Sequence, residues 1–325
     1  SLIDRTGPKK IYLIGIGCLA FSYLTYSVAQ HWELTIVAMM GYWLGFATSI
    51  HSCATICGNC LVNRDRATGM LICETVAAGL LGVVGPILAT WLVARLGGAT
   101  ASGIRPLFVV GLLITVTTFV IVLTQLSDRT WAKRSARPPH LFRDIFTVLR
   151  GGTTLKRWVA ISAITQLPLG MVFPYTQVFA HAVKGANEFV LGAMVTGSAL
   201  ASIGCAIPLG RLADRIGRKR VLYLTIPLFW LSNLLLVLAP SSAVLLVAGF
   251  LQGFFFIGGP VASAIERELV PSEQMGRWLG INRFFRMMLS AVLALTAGVI
   301  WDTLGPQYIF LTFVGIDLLI RMPLL

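Results

Sequence analysis

The chain has 325 residues, of which 56% are hydrophobic and only 12% are charged, whereas soluble domains have about 45–50% apolar and about 25% charged residues. This composition excludes an ordinary soluble globular domain and indicates that the folded chain lies mainly in lipid. The formal net charge is +13, but the basic residues are spread over separate loops rather than collected on one face. That distribution argues against a nucleic-acid-binding protein.

Ten apolar runs follow one another along the chain, each near the length of about 20 residues that crosses a bilayer as a helix. Because they are long and apolar all round, they do not fit the short alternating strands of an outer-membrane barrel. The predicted fold is an all-α polytopic membrane protein. The runs cover residues 11–29, 34–61, 70–95, 105–125, 157–181, 189–209, 221–239, 243–266, 277–301 and 306–325.

Threading these runs through a bilayer places most basic residues on one side. That side receives Arg5, Lys9, Lys10, Arg64, Arg66, the basic residues from 129 to 157 and from 211 to 220, Arg267 and Arg277. Only Arg95, Arg105 and Lys184 fall on the other side. Because cytoplasmic loops carry the excess of Lys and Arg, we expect a multi-pass protein of the inner or plasma membrane with these basic loops in the cytoplasm.

An internal repeat relates the two halves of the chain. The motif G-R-L-A-D-R-I-G-R-K-R at residues 210–220 has a shorter counterpart in D-R-T-G at residues 4–7. Gly41-x3-Gly45 is likewise repeated as Gly249-x3-Gly253. Duplicated membrane halves with a substrate site near the midplane are typical of secondary transporters, so the repeat bears on function as well as on fold.

The motif at residues 210–220 resembles the loop signature of the major facilitator superfamily, which joins helices two and three and again helices eight and nine of a twelve-helix transporter. The resemblance implies that the chain begins inside the first of these loops and contains helices three to twelve. We therefore expect three parts: residues 1–125 from the amino-terminal bundle, a cytoplasmic linker with a short amphipathic helix at 126–156, and a six-helix carboxyl-terminal bundle at 157–325.

The same resemblance assigns a role to the motif residues. In the family the motif aspartate latches one half of the protein to the other, so Asp214 and its counterpart Asp4 are the candidate latch. The glycines are expected where the chain turns sharply. An alternative is that the motif only sets the topology. The candidate latch residues are Asp4, Arg5, Gly7, Gly210, Asp214, Arg215, Gly217 and Arg218.

A second motif resembles, in part, the one that marks antiporters of this superfamily. It consists of Gly82, Gly85 and Pro86, whose alternative role is close helix packing. Drug/proton antiporters of the family also carry an arginine four residues before a glycine in helix four, and here Gly41 stands at that distance before Gly45. Coupling to protons therefore remains open.

Ionisable and strongly polar residues inside the apolar runs are candidate functional residues, because they are costly in lipid. Glu74, Arg283 and Arg286 could form an inner gate or bind an anionic group, although both arginines could instead extend to the lipid headgroups. Asp317 has no partner visible in the sequence. Further cavity candidates, each equally able to make only an interhelical hydrogen bond or a packing contact, are Gln166, Tyr175, Gln177, Gln252 and His51.

No cofactor or metal is expected. Cys53-x3-Cys57-x2-Cys60 has the spacing of iron–sulfur ligands, but on a membrane helix this spacing produces one packed stripe. No nucleophile, base and orienting group fall at recognisable spacings, which argues against an enzyme.

The sequence thus predicts a secondary active transporter of a small organic solute that works by alternating access. We expect drug or metabolite efflux, with protons as the candidate coupling ion and a monomer as the working unit. The alternatives are a solute uptake symporter and a non-transporting membrane sensor built on the same fold.

Overall fold

A computed structural model of the protein describes residues 8–60, 77–98, 100–126, 153–269 and 272–325. These residues are helical apart from short connections, which confirms the predicted all-α polytopic class. Among them, seven helices are long and apolar enough to cross a bilayer, and Leu81–Arg95 is a shorter apolar helix. The chain divides into two compact units, Ser1–Pro138 and Pro139–Leu325.

The amino-terminal unit contains four described helices: α1 (Pro8–Val28), α2 (Trp32–Cys60), α3 (Ala77–Arg95) and α4 (Ala101–Gln125). Glycine lets α1 and α2 approach closely, because a Cβ at Gly45 would lie 2.6 Å from the backbone oxygen of Gly15. Small residues serve this purpose in membranes, where helices associate by close packing.

Two basic side chains cap helix ends in this unit. Lys9 Nζ donates to the carbonyl oxygens of Leu123 and Leu126 at 3.0 and 2.5 Å, and Arg105 donates to the carbonyl of Ala29 at 2.5 Å. Cations at helix carboxyl ends satisfy carbonyls that lack an intrahelical partner. The caps therefore fasten α1 to α4 at both ends.

In the carboxyl-terminal unit, three helices are continuous over at least 28 residues. Its core is aromatic and includes the buried rings of Phe179, Phe229, Phe310 and Phe313. The helices are α5 (Thr153–Ile164), α6 (Phe173–Ala182), α7 (Glu188–Ile216), α8 (Arg218–Leu238), α9 (Ser242–Leu269), α10 (Ser272–Thr303), α11 (Gln307–Ile316) and α12 (Met322–Leu324).

Two of the predicted membrane runs are interrupted by π-helical segments. One, Pro168–Val172, joins α5 to α6, and the other, Asp317–Arg321, joins α11 to α12. Proline explains the first, since Pro168 has no N–H to donate to the preceding turn. Single π-helical turns inside α-helices are frequently found at functional sites.

A matched pair of hydrogen bonds supports the internal repeat. Ser22 on α1 donates to the carbonyl of Ala38 on α2 at 2.6 Å, and Ser232 on α8 donates to the carbonyl of Ala248 on α9 at 2.7 Å. Both partners of the second bond lie 210 positions after those of the first. The two units therefore share a local helix–helix arrangement as well as sequence motifs.

The end of α7 differs from the prediction. The apolar run was expected to stop at residue 209 and the motif to form a loop, but α7 continues to Ile216 and α8 begins at Arg218. Gly217 makes the turn with φ of +97°. The expected turn at Gly210 is wrong, because this residue lies within α7 and has no left-handed backbone conformation.

Candidate functional site

A cavity of about 150 Å³ lies inside the carboxyl-terminal unit. Aromatic side chains form its apolar wall: Phe229 on α8 and Phe254, Phe255 and Phe256 on α9. Three of these rings pack on one another, with centroids 5.2 Å apart for Phe229 and Phe255 and 5.6 Å apart for Phe255 and Phe256. This arrangement provides a rigid surface for an apolar ligand.

Polar and basic residues also line this cavity. They include the hydroxyls of Thr165 and Thr225 and the guanidinium-bearing side chains of Arg286 on α10 and Arg321 in the second π-helical segment. A neighbouring cavity of about 120 Å³ shares Thr165, Arg286 and Arg321. It extends to Trp158 and Leu325. The two arginines therefore border both spaces.

Gln166 orients Arg286. With the Gln166 amide placed to satisfy both groups, its oxygen accepts from Arg286 Nη2 at 2.6 Å and also from Arg286 Nε. Gln166 is buried and lies in the break between α5 and Pro168, where its own N–H bonds to the carbonyl of Ala163 at 3.0 Å. The break in the helix thus places the neutral amide of Gln166 against the guanidinium of Arg286.

Arg321 is held by a buried carboxylate one turn earlier. Its Nη1 lies 3.2 Å from Asp317 Oδ1, and the indole N–H of Trp230 donates to Asp317 Oδ2 at 2.7 Å. Asp317 is fully buried and Arg321 is 7% exposed. Two donors therefore satisfy the carboxylate that the sequence left without a visible partner.

The structure brings together two of the predicted residues, Gln166 and Arg286, and adds Arg321 and Trp230, which sequence reasoning missed. The i, i+4 spacing of Asp317 and Arg321 in an apolar run was a usable signal, because opposite charges at this spacing meet on a helix. Trp230 carried no such signal, since it lies 87 residues from Asp317.

Other predicted cavity residues make interhelical hydrogen bonds instead. The Tyr175 hydroxyl donates to the carbonyl of Ala294 at 3.1 Å, and Gln252 donates to Thr176 Oγ1 at 3.2 Å. Gln177 is half-buried on α6. None of these three predicted residues lines the two described cavities.

The antiporter-like motif lies on α3, with Pro86 inside the helix. Within the described part of the chain, a Cβ at Gly85 would meet no atom within 4 Å, so close packing does not account for this glycine. Gly82 is half-buried on the same helix.

Several predictions fall outside what the structure describes. Asp4, Arg5, Gly7 and Glu74 lie outside the described residues. For His51, Cys53, Cys57, Cys60, Asp214 and Arg283, only the backbone is described, and it is helical. Arg215 is exposed in the last turn of α7 and Arg218 begins α8. Within the described ranges, no group of three or more His, Cys, Asp or Glu residues could hold a metal ion.

Solved structures with the same fold are membrane transporters. The nucleoside transporter NupG aligns with a TM-score of 0.75 at 15% identity, over 99% of this chain and 84% of that one. The human organic anion transporter MFSD10 (TETRAN) aligns with a TM-score of 0.63 at 18% identity, over 100% and 78%. At identities this low, the similarity shows a shared fold alone.

Sequence relatives extend over most of the chain. "Multidrug resistance protein MdtG" of Serratia proteamaculans (strain 568) is 26% identical over 302 residues, covering 88% of this chain and 68% of the relative. The protein of the same name from Escherichia coli (strain K12 / DH10B) is 25% identical over 331 residues, covering 98% and 77%. The family model described as Major Facilitator Superfamily matches residues 1–187 and 160–320. The chain therefore belongs to the Major Facilitator Superfamily and is a multi-span membrane transporter of that family.

Proposed function

We propose that this protein exports small amphiphilic organic molecules across the inner or plasma membrane by alternating access, and that the cavity of the carboxyl-terminal unit takes part in binding them. The observation that carries the proposal is a single cavity lined both by the rings of Phe229 and Phe254–Phe256 and by Arg286 and Arg321. Such a cavity suits a ligand with an apolar body and a polar end.

The direction of transport rests on the relatives. Those cited above are named multidrug resistance proteins, which favours efflux over uptake for this chain. The fold neighbours leave the other direction as the second candidate, because a nucleoside transporter is among them. The sensor alternative has the weakest support, since the matched proteins with a stated role are named for resistance or transport.

Inside-out vesicles containing the full-length protein test the proposal. In such vesicles the cytoplasmic face is outermost, so an exporter accumulates labelled amphiphiles in the lumen. If transport is exchange with protons, an acid lumen drives this accumulation and collapse of the pH gradient abolishes it. The panel of amphiphiles should include neutral, anionic and cationic members of similar size.

Matched arginine variants provide the control. We expect Arg286→Gln to reduce accumulation, whereas Arg95→Gln, the same change at an exposed position on α3, should leave it near the unaltered rate. Release of preloaded solute from an acid lumen would instead indicate proton-coupled uptake. Saturable binding without flux of any panel member would indicate a sensor.

A further inference from the structure

We propose that the cavity bordered by Arg286 and Arg321 is an anion-binding site, and that the substrates it takes are small organic acids with an aromatic or other apolar body. This assignment rests on the proposed function, because it names the substrate class of the same cavity. It commits to a membrane-permeant or cytoplasmic acid rather than to the headgroup of an anionic lipid.

Charge is the first argument. Two guanidinium groups line one cavity, and none of the described residues that line it is acidic, although Asp317 lies behind Arg321. Asp317 binds Arg321 through Nη1 alone. Arg321 therefore has donor capacity that its carboxylate partner does not use, and an anion is the ligand that such a donor favours.

Preorganisation is the second argument. Gln166 positions Arg286 through a neutral amide oxygen, which fixes the direction of the guanidinium without cancelling its charge. Asp317 binds the Arg321 guanidinium, and Trp230 in turn donates to Asp317 and holds the carboxylate in place. Donors that are already held in place lose little conformational freedom when they bind an anion.

Size and shape are the third argument. A cavity of about 150 Å³ matches the volume at which an apolar protein cavity admits benzene. Phe229, Phe255 and Phe173 pack with centroids between 5.1 and 5.9 Å apart, so the aromatic part of the lining is preformed. A benzene ring carrying one carboxylate is therefore the smallest probe that tests both the aromatic and the basic residues of the lining.

Three probes of the same shape separate charge from apolar contact: benzoate, benzamide and benzamidinium, which are anionic, neutral and cationic. Binding of each to the full chain is measured by isothermal titration in nanodiscs of phosphatidylcholine. We expect benzoate to bind at least about tenfold more tightly than benzamide, since a charge-assisted contact is roughly twice as strong as a neutral one. We expect benzamidinium to bind more weakly than either.

The variants assign this preference to the two arginines. Arg286→Gln should bring the benzoate-to-benzamide ratio close to one while benzamide affinity stays the same. Arg286→Lys, which keeps the charge without the guanidinium fork, should recover part of the ratio. Arg321→Gln alone would leave the Asp317 carboxylate buried without its cationic partner. The second test is therefore the double variant Asp317→Asn with Arg321→Gln, which should also lower the ratio. Arg95→Gln is the matched control and should keep it.

Equal binding of benzoate and benzamide by the unaltered protein would overturn the proposal, as would a ratio that survives both Arg286→Gln and the double variant. Nanodiscs containing phosphatidylglycerol identify the source of the anion: unchanged benzoate affinity supports a soluble acid, whereas competition by this lipid overturns that assignment. Failure of this inference can be distinguished from failure of the proposed function. Export of neutral amphiphiles without a benzoate preference would overturn this inference alone, and a benzoate preference without any flux would support it while refuting export.

Discussion

At the scale of single residues, the buried pair of Asp317 and Arg321 combines a structural requirement with a functional one. The carboxylate receives hydrogen bonds from Arg321 and Trp230, so its charge is compensated in an apolar region. Replacing a buried ion pair by neutral groups is often nearly neutral for stability, whereas removing one partner strands the other charge.

We expect Asp317→Asn to destabilise the carboxyl-terminal unit by about 3–5 kcal/mol, because it leaves the Arg321 guanidinium buried without its carboxylate. The double variant Asp317→Asn with Arg321→Gln should recover most of this loss. Thermal unfolding of the detergent-solubilised protein, followed by size-exclusion chromatography, measures both. A double variant no more stable than Asp317→Asn would contradict this account of the pair.

Gly217 and Gly210 belong to the same motif but have different conformations. Gly217→Ala should cost about 1 kcal/mol or more, because φ of +97° is unfavourable for a residue with a Cβ. Gly210→Ala should instead stabilise by up to about 1 kcal/mol, since alanine is favoured over glycine within a helix and its Cβ would meet no atom of the described residues within 4 Å. Thermal melting temperatures of the two variants should move in opposite directions, and a parallel shift would refute the assignment.

At the scale of helices, close packing depends on particular glycines. Gly253 on α9 faces α7, where an added Cβ would lie 2.7 Å from the Cβ of Ala201 and closer still to the backbone oxygen of Ser198. At Gly204 on α7, such a Cβ would have no atom within 4 Å in the part of the chain that the structure describes. The two positions therefore form a matched pair for testing the interface.

We expect Gly253→Ala to destabilise the protein by about 1–3 kcal/mol, as overpacking does elsewhere. Gly204→Ala should be neutral or stabilising, because the helix gains from alanine without a steric cost. Thermal unfolding of both variants compares them directly. Equal stability of the two would mean that α7 and α9 can separate to admit a methyl group.

Most helices could be predicted from the sequence because their apolar runs have the length that a bilayer requires. The extension of α7 to Ile216 could not, since half of residues 211–216 are charged and their helical state depends on continuation from the preceding turns. The run at residues 157–181 was predicted without a break, so neither the interruption at Pro168 nor the contact of Gln166 with Arg286 was expected. That contact joins residues far apart in sequence and is a product of tertiary packing.

At the scale of the whole molecule, we propose that Asp214 controls the exchange between the conformations of alternating access. It lies in the last turn of α7, where a negative charge is unfavourable for its own helix. The amino terminus of α8 follows directly after Gly217, and a carboxylate near such a terminus is stabilised by about 0.3–2 kcal/mol. An energy of this size can bias an equilibrium between two states of similar free energy.

We therefore expect Asp214→Asn to lower the transport rate while expression stays near normal. Asp302→Asn is the control, because Asp302 is an exposed carboxylate in the last turn of α10. Flux into inside-out vesicles and the amount of folded protein are measured together. Transport at the unaltered rate by Asp214→Asn would leave the aspartate as a marker of topology.

The distribution of positive charge predicts the orientation of the chain in the membrane, and the repeat provides a paired test. Gln30 follows α1 and Ser241 precedes α9, and both are exposed at corresponding places in the two units. In a variant whose six cysteines are replaced by serine, we expect Gln30→Cys and Ser241→Cys to react with an impermeant maleimide in intact cells. Lys219→Cys, at the basic end of α8, should react only after permeabilisation, because positive charge is retained on the cytoplasmic side. Labelling of Lys219→Cys in intact cells, with Gln30→Cys and Ser241→Cys protected, would show that the chain has the opposite orientation. The direction assigned to export would then be wrong as well.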